Sequence, residues 1–547
     1  MHVVVRIALA GALVAAPARP AVAQGEHGHA GASPDSVGRV GFAVSCKPAA
    51  QRRFEHAVAL LHSFWYEQAE RAFAGVVAAD PGCGMGYWGR AMSLLHPLWT
   101  PPSPADGERG LAAAERAVTL TRPRSRERAY AEAIATFYRG YRPGGFRDRL
   151  LAYETAMEGL RTRYPADEEA RIFCALALIA HGQLDSGDTT YARQRRAGAL
   201  LEPLFRKHPR HPGIAHYLIH AYDNPPLAGR AVAAAAAYAR IAPAVPHAQH
   251  MPSHIYTRIG RWEPSIASNL RSAAAARAFE RSRRLPLMWD ERAHAEDYLT
   301  YAYLQLGRDR EARRLVDRAA AASASYPDTS FKADYAFAAI PARYGLERGR
   351  WAEAKALAVR PAPAWPATEA ITRFARAIGA ARSGDAVGAR AEVDTLRRIE
   401  SALAAAGGLQ AYWSTQVKIQ RMAAGAWAAL AAGDTARALE EARAAADLED
   451  ATEKHPVSPG PVLPARELYG DVLLEAGRPA EARRVYEAAL ARQPNRARAL
   501  FGAARAAERA GDRLEARRYY GELARLLAHG DGDRPELEAA RRVLAGR

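Results

Sequence analysis

The 547-residue sequence has only three cysteines, too few to staple a disulfide scaffold. Aromatic residues make up just 8%, and runs that alternate like β-strands are essentially absent. Glycine (42) and proline (34) are ordinary for this length, which excludes a collagen-like or low-complexity chain. Beyond the first 23 residues, no uncharged apolar run reaches the length of a membrane helix. There is no phosphate-cradling glycine loop, no HExxH, no GxSxG and no CxxC, so no known catalytic motif supports an enzyme. What is abundant is apolar residues, at 49%. A chain this long and this apolar can bury several times a minimal core, which excludes wholesale disorder.

The net charge is +17. It comes mostly from arginines dispersed among Asp and Glu rather than from a basic block, which reads as solvated helix faces and argues against a nucleic-acid partner. Residues 1–23 read as a secretory signal. Arg6 precedes an apolar run from Ile7 to Pro17, and Ala21-Val22-Ala23 is a small-x-small cleavage pattern. Residues 24–40 read as a flexible leader carrying His27 and His29. The expected location is periplasmic or secreted, where disulfides persist. Cys46 and Cys83 flank the first helical pair and can bridge there, while Cys174 sits in an apolar run as a buried thiol.

A repeat dominates the rest. Gly477, Ala482 and Tyr486 recur 34 residues later as Gly511, Ala516 and Tyr520. The same Gly-to-Ala offset occurs at Gly307/Ala312, Gly349/Ala354, Gly384/Ala389 and Gly433/Ala438, and Gly260 is followed by Ser265. Pro212 and Pro246 are again 34 apart. Near the N-terminus, Tyr66, Ala69, Phe73 and Pro81 fall at matching positions. The pattern resembles the tetratricopeptide repeat, a helix-turn-helix unit with the Gly in its turn and a small residue where the two helices touch. The resemblance implies an all-α fold, an α-solenoid whose stacked pairs form a right-handed superhelix. Repeat-like segments cover 41–100, 212–330 and 331–547. Residues 101–211 read as four or five plain amphipathic helices.

In that family the inner groove is built from positions 2, 5, 9, 12 and 13 of each first helix. Applied to Pro212, the register selects His216, His220, Asp223 and Asn224; applied to Pro246, it selects His247, His250, His254 and Arg258; applied to Ala293, it selects His294, Asp297 and Tyr301. His62 and His96 fall at position 13 of the N-terminal repeats. Eight of the 17 histidines therefore occupy groove positions. The C-terminal repeats put Phe374, Trp427, Glu467, Asp471 and Arg505 there instead.

Histidines at i and i+4 share one helix face and can share a metal. His216, His220, His250, His254 and His294 with Asp297 form a candidate metal set for Zn, Cu, Ni or Fe. His62, Trp65, Trp88, His96, Asp223, Asn224, His247, Arg258 and Tyr301 are the candidate ligand-binding residues. Trp65, Trp88 and Trp99 fit either core packing or a stacking wall. Asp223 fits either a turn cap or a partner that orients a histidine. Pro252 predicts a kink in the histidine-bearing helix or a fresh helix start, which would leave His247 and His250 on a loop. His208 and His211 flank a proline turn and read as solvated. The wording HSFWYEQA, YWGRAMS, HYLIHAYDNPP and PHAQHMPSHIYTRIGRW is similar to that of exported bacterial tetratricopeptide-repeat proteins, a likeness that implies a fold but no reaction. Two functions follow: a solenoid gripping a protein, peptide or small ligand in its groove, or a transition-metal-binding protein or metal-dependent enzyme using the histidines.

Overall fold

The computed structural model describes residues 36–98, 100–140, 145–360 and 365–546. The expected signal segment, His27, His29 and Trp99 lie outside them. The described chain is an all-α solenoid in which successive helices pack against one another. Among the described residues the only strand pairing is Met288–Trp289 against Ser325–Tyr326, and no helix is long and apolar enough to cross a membrane.

The repeat marks behave as helix-pair geometry requires. Gly260, Gly307, Gly349, Gly384, Gly433, Gly477 and Gly511 adopt φ between 61° and 84°, the left-handed turn conformation that glycine adopts at low cost. Five residues on, Ser265, Ala312, Ala354, Ala389, Ala438, Ala482 and Ala516 are buried where the second helix meets the first. Residues 101–211 hold Pro104–Leu120, Arg126–Tyr138, Phe146–Arg163, Glu168–Gln183 and Ala192–Lys207, which continue the stack without the glycine marks. Cys46 and Cys83 form a disulfide. Cys174 is a buried free thiol whose pKa burial pushes up to about 12.

The superhelix closes on itself. The Trp262 indole donates to the Asn495 carbonyl (2.8 Å), the Asp531 amide to the Gly307 carbonyl (2.9 Å) and the Arg534 guanidinium to Asp309 (2.8 Å). Arg496 is buried between Glu347 and Glu467. The stretch 452–464, which joins helices Thr435–Asp450 and Ala465–Glu475, packs against the central repeats. Its Glu453 amide donates to the Ser186 carbonyl (2.8 Å). Its Pro456 and Ser458 carbonyls lie 3.2 and 3.1 Å from the Tyr298 hydroxyl, and its Pro461 carbonyl accepts from Arg343 (2.8 Å). The inner wall at the central repeats is therefore covered by the chain itself and is not an open groove.

Candidate metal centre

Four short elements carry the histidines. Pro212–Tyr222 presents His216 and His220. Pro246–His250 and Pro252–Arg258 are successive helical turns that present His247, His250 and His254, and Met251 between them keeps helical dihedrals (φ −52°, ψ −36°). Pro252 thus interrupts the hydrogen-bond ladder without turning the segment into a loop, and His247 and His250 are helical. Asp290–Gln305 presents His294.

These six imidazoles are buried and fall into two triads, His216/His220/His247 and His250/His254/His294. Within each triad, ligand nitrogens lie within 4.8 Å of one another. The triads adjoin: the His220 and His254 ring centres are 6.1 Å apart, and those of His247 and His250 6.2 Å apart. In the first triad, His216 Nε2 stands 3.1 Å from both His247 Nε2 and His220 Nε2. In the second, His250 Nε2 and His254 Nε2 stand 2.9 Å apart.

The outer ring nitrogens fix the tautomers. His254 Nδ1 donates to Asp223 (2.8 Å). His250 Nδ1 donates to the Asn269 side-chain oxygen (2.7 Å), whose orientation is set because Asn269 Nδ2 donates to the Ser265 carbonyl (2.9 Å). His216 Nδ1 donates to the His62 carbonyl (2.6 Å). A neutral imidazole has one N–H, so Nε2 of His216, His250 and His254 is a bare lone pair. His250 and His254 aim two such lone pairs at each other, which is repulsive unless a cation sits between them. Two nitrogens each about 2.0–2.1 Å from one ion stand about 3 Å apart, and the donated Nδ1–H is the outer contact that orients metal-binding histidines.

The electrostatics favour the ligating, neutral form of His216, His220, His250, His254 and His294. Burial, reinforced by His220 and His247, holds His216 well below the ordinary histidine range. Burial with His254 and His247 does the same to His220, and burial with His254 to His250. His294 is lowered by burial and then by His250. Burial takes His254 to about 4 despite the opposing Asp223. Burial alone would raise Asp223, but Lys454, Arg258 and His254 hold it well below the usual carboxylate range, so it stays ionised.

Several expectations need correction. Asp297 is not a ligand: it is buried in an ion pair with Arg343 (2.8 Å). Asp223 and Arg258 are paired within the protein, since Arg258 (2.8 Å) and Lys454 (2.9 Å) both hold Asp223, which also lines the cavity beside His220. His247, expected to bind a ligand, stands in the first histidine triad, which could hold a metal. Tyr301 is buried between Arg343 and Arg496, accepting from the latter (2.7 Å). Trp88 is core, edge-on to Phe42, Phe73, Tyr130 and Phe173. Trp65 packs on Phe279, and His96 stacks on Tyr66 (4.2 Å), outside the triads. His211 is buried rather than solvated. With His62 it donates to Glu169 (2.8 and 3.0 Å). Burial would raise Glu169, but the two imidazoles hold it at about 2. That third set is a satisfied hydrogen-bond network supporting the His62 carbonyl.

Asn224 lines a cavity of about 580 Å³ together with His220, Asp223, Tyr412, Trp413 and Lys454. Its side chain is 2% exposed, and its Oδ1 has no hydrogen-bond partner.

A family model described as a tetratricopeptide repeat matches residues 463–506. No curated protein matches the chain. The chain is similar to the TPR domain of P58(IPK), at 12% identity over 91% of this chain and 99% of that one, with a TM-score of 0.21. It is also similar to the human IFIT1 dimer with m7Gppp-AAAA (14% identity, 78% and 87% coverage, TM-score 0.34) and to yeast Tom70 (11%, 91% and 96%, 0.27).

Proposed function

We propose that this protein binds two transition-metal ions side by side, one in each histidine triad. The observation that carries the reading is the 2.9 Å approach of His250 Nε2 to His254 Nε2, with both Nδ1–H groups committed elsewhere. Without an ion, His250 and His254 would lie buried with their Nε2 lone pairs facing each other, an unfavourable arrangement in a low-dielectric interior. Imidazole nitrogens suit Zn, Cu, Ni or Fe. The covered inner wall leaves room for a small ligand in the cavity beside His220 rather than for a peptide in a groove. The 1–23 segment and the Cys46–Cys83 bridge support an exported protein.

The test is metal content. Purified chain, as isolated or after reconstitution, carries about two equivalents of a transition metal by elemental analysis. Protein that stays metal-free after incubation with Zn, Cu, Ni and Fe salts sinks the reading.

A further inference from the structure

We infer that the two ions are copper, resting as copper(I), and that the pair binds dioxygen between its halves. The inference rests on the two-ion reading and concerns which ion and which small molecule the site takes.

The argument begins with charge. No carboxylate belongs to either triad. Asp223 is held by His254, Arg258 and Lys454, Asp297 by Arg343, and Glu291 by Lys332. Six neutral imidazoles therefore leave the full charge of both ions uncompensated by ligands. The nearest charged groups are Asp223, Glu453, Glu291 and Asp290 against Arg258, Lys454 and Lys332, one negative charge in excess, while Asp297 and Arg343 cancel. Taking an ion out of water costs several kcal/mol even after relaxation, and like charges side by side add to that cost. Two divalent ions would place +4 in this shell, whereas two copper(I) ions place +2.

Coordination number agrees. Three imidazoles can complete the low coordination number of copper(I), whereas zinc held by three histidines takes a water or anion as its fourth ligand. Zinc, nickel or iron here would need further anionic or water ligands.

Dioxygen fits the same charge balance. Each copper(I) gives one electron, and O2 takes both. The O=O double bond becomes the O–O single bond of peroxide, and one Cu–O bond forms to each copper(II). Two new positive charges on the metals meet two new negative charges on the bound molecule, so the centre carries +2 before and after, and no proton is required. The triads adjoin, with ring centres 6.1 and 6.2 Å apart across the boundary, so ions held by them would be neighbours that one diatomic could bridge. Access is provided at His220, the most exposed of the six at 7%, which forms part of the wall of the 580 Å³ cavity.

The experiment loads the full chain with copper(I) anaerobically, counts copper, and then admits O2. The expected result is two copper per chain, one O2 taken up per pair, and an oxidised form whose copper EPR signal accounts for under about a tenth of the metal, because paired copper(II) ions couple through the bridge. Replacing His220 or, as a second variant in the other triad, His294 by Ala leaves one copper per chain, abolishes O2 uptake and makes the oxidised copper EPR-visible. Chain that keeps two zinc ions against equimolar copper overturns this inference while leaving the two-ion reading intact, as does a two-copper protein that takes up no O2. Chain that binds no metal overturns both.

Discussion

His247 and His294 hold the same register position in consecutive repeats: counted from Pro246 and Ala293 each stands at position 2, and each completes the triad begun at positions 5 and 9 of the preceding repeat. His247 joins His216 and His220, and His294 joins His250 and His254. The centre is thus one construction made twice by the solenoid's own translation. Each half should therefore stand alone. His220→Ala and His254→Ala each retain about one metal equivalent where the unaltered chain holds two, and the double variant holds none. Elemental analysis after gel filtration measures this. Loss of both metals from either single variant would mean a shared site instead of two.

Asp223 orients His254 and is itself held by Arg258 and Lys454. Asp223→Asn keeps an acceptor oxygen but removes the charge. Outer partners of this kind are worth about 10–100-fold in metal affinity, so chelator competition should show the second triad releasing its ion at roughly that much lower chelator strength. The first triad, whose His216 is oriented by the His62 carbonyl, should be unchanged.

Asp297 gives the opposite result. Removing one partner of a buried ion pair costs about 3–5 kcal/mol because the other charge is left uncompensated. Asp297→Ala should lower the denaturation free energy by that amount while both metals stay bound. Loss of a metal with unchanged stability would restore Asp297 to the ligand set.

These contrasts show what was legible in the sequence. Helical spacing alone placed His216 with His220 and His250 with His254, since positions 5 and 9 share a helix face. The repeat period brought the two pairs side by side. Asp297 occupies position 5 as well, but Arg343 comes from the first helix of the next repeat to neutralise it, and no local pattern announces that. Asn269 lies on a second helix, outside any groove register. Lys454 and Glu453 reach the site from more than 190 residues away because the superhelix closes. That closure also buries the histidines that an open groove would expose. His211 looked solvated because its flanking prolines suggest a turn, yet Glu169 on a neighbouring helix draws it inward.

Glu449, which is not a member of either histidine triad, supplies a separate pH signature. Its carboxylate accepts the Ala465 amide (2.8 Å). Burial, aided by Asp450 and Glu467 and opposed by that amide, raises its pKa from 4.5 to about 8. The folded chain then binds this proton more tightly than the unfolded chain, so stability is highest below 4.5 and falls as pH rises toward 8. Glu449→Gln keeps the acceptor and cannot ionise. Urea denaturation across pH 4.5–8.5 should show the variant matching the unaltered chain at the acid end and exceeding it at pH 8.5, by on the order of a few kcal/mol. Parallel curves would show that Glu449 titrates normally.

The closure itself can be tested at Gly260, which sits in its turn at φ +65° and meets the backbone of Pro494 from a C-terminal repeat. A Cβ there would overlap the Pro494 carbonyl, and Asn495 next to it donates to the Gly260 carbonyl (3.2 Å) while accepting the Trp262 indole. Gly260→Ala therefore carries two penalties, a left-handed backbone of about 1–3 kcal/mol and a forced separation of the two arms. Gly477 has nearly the same φ, +73°, with nothing near its Cβ position, so Gly477→Ala carries the backbone penalty alone. Hydrogen exchange should therefore distinguish them. Gly477→Ala leaves protection at 452–464 unchanged, whereas Gly260→Ala raises exchange there and speeds metal loss to chelator, because Lys454 no longer steadies Asp223. Equal behaviour of the two variants would mean that the arms touch without holding each other, and that the histidine centre is built by the central repeats alone.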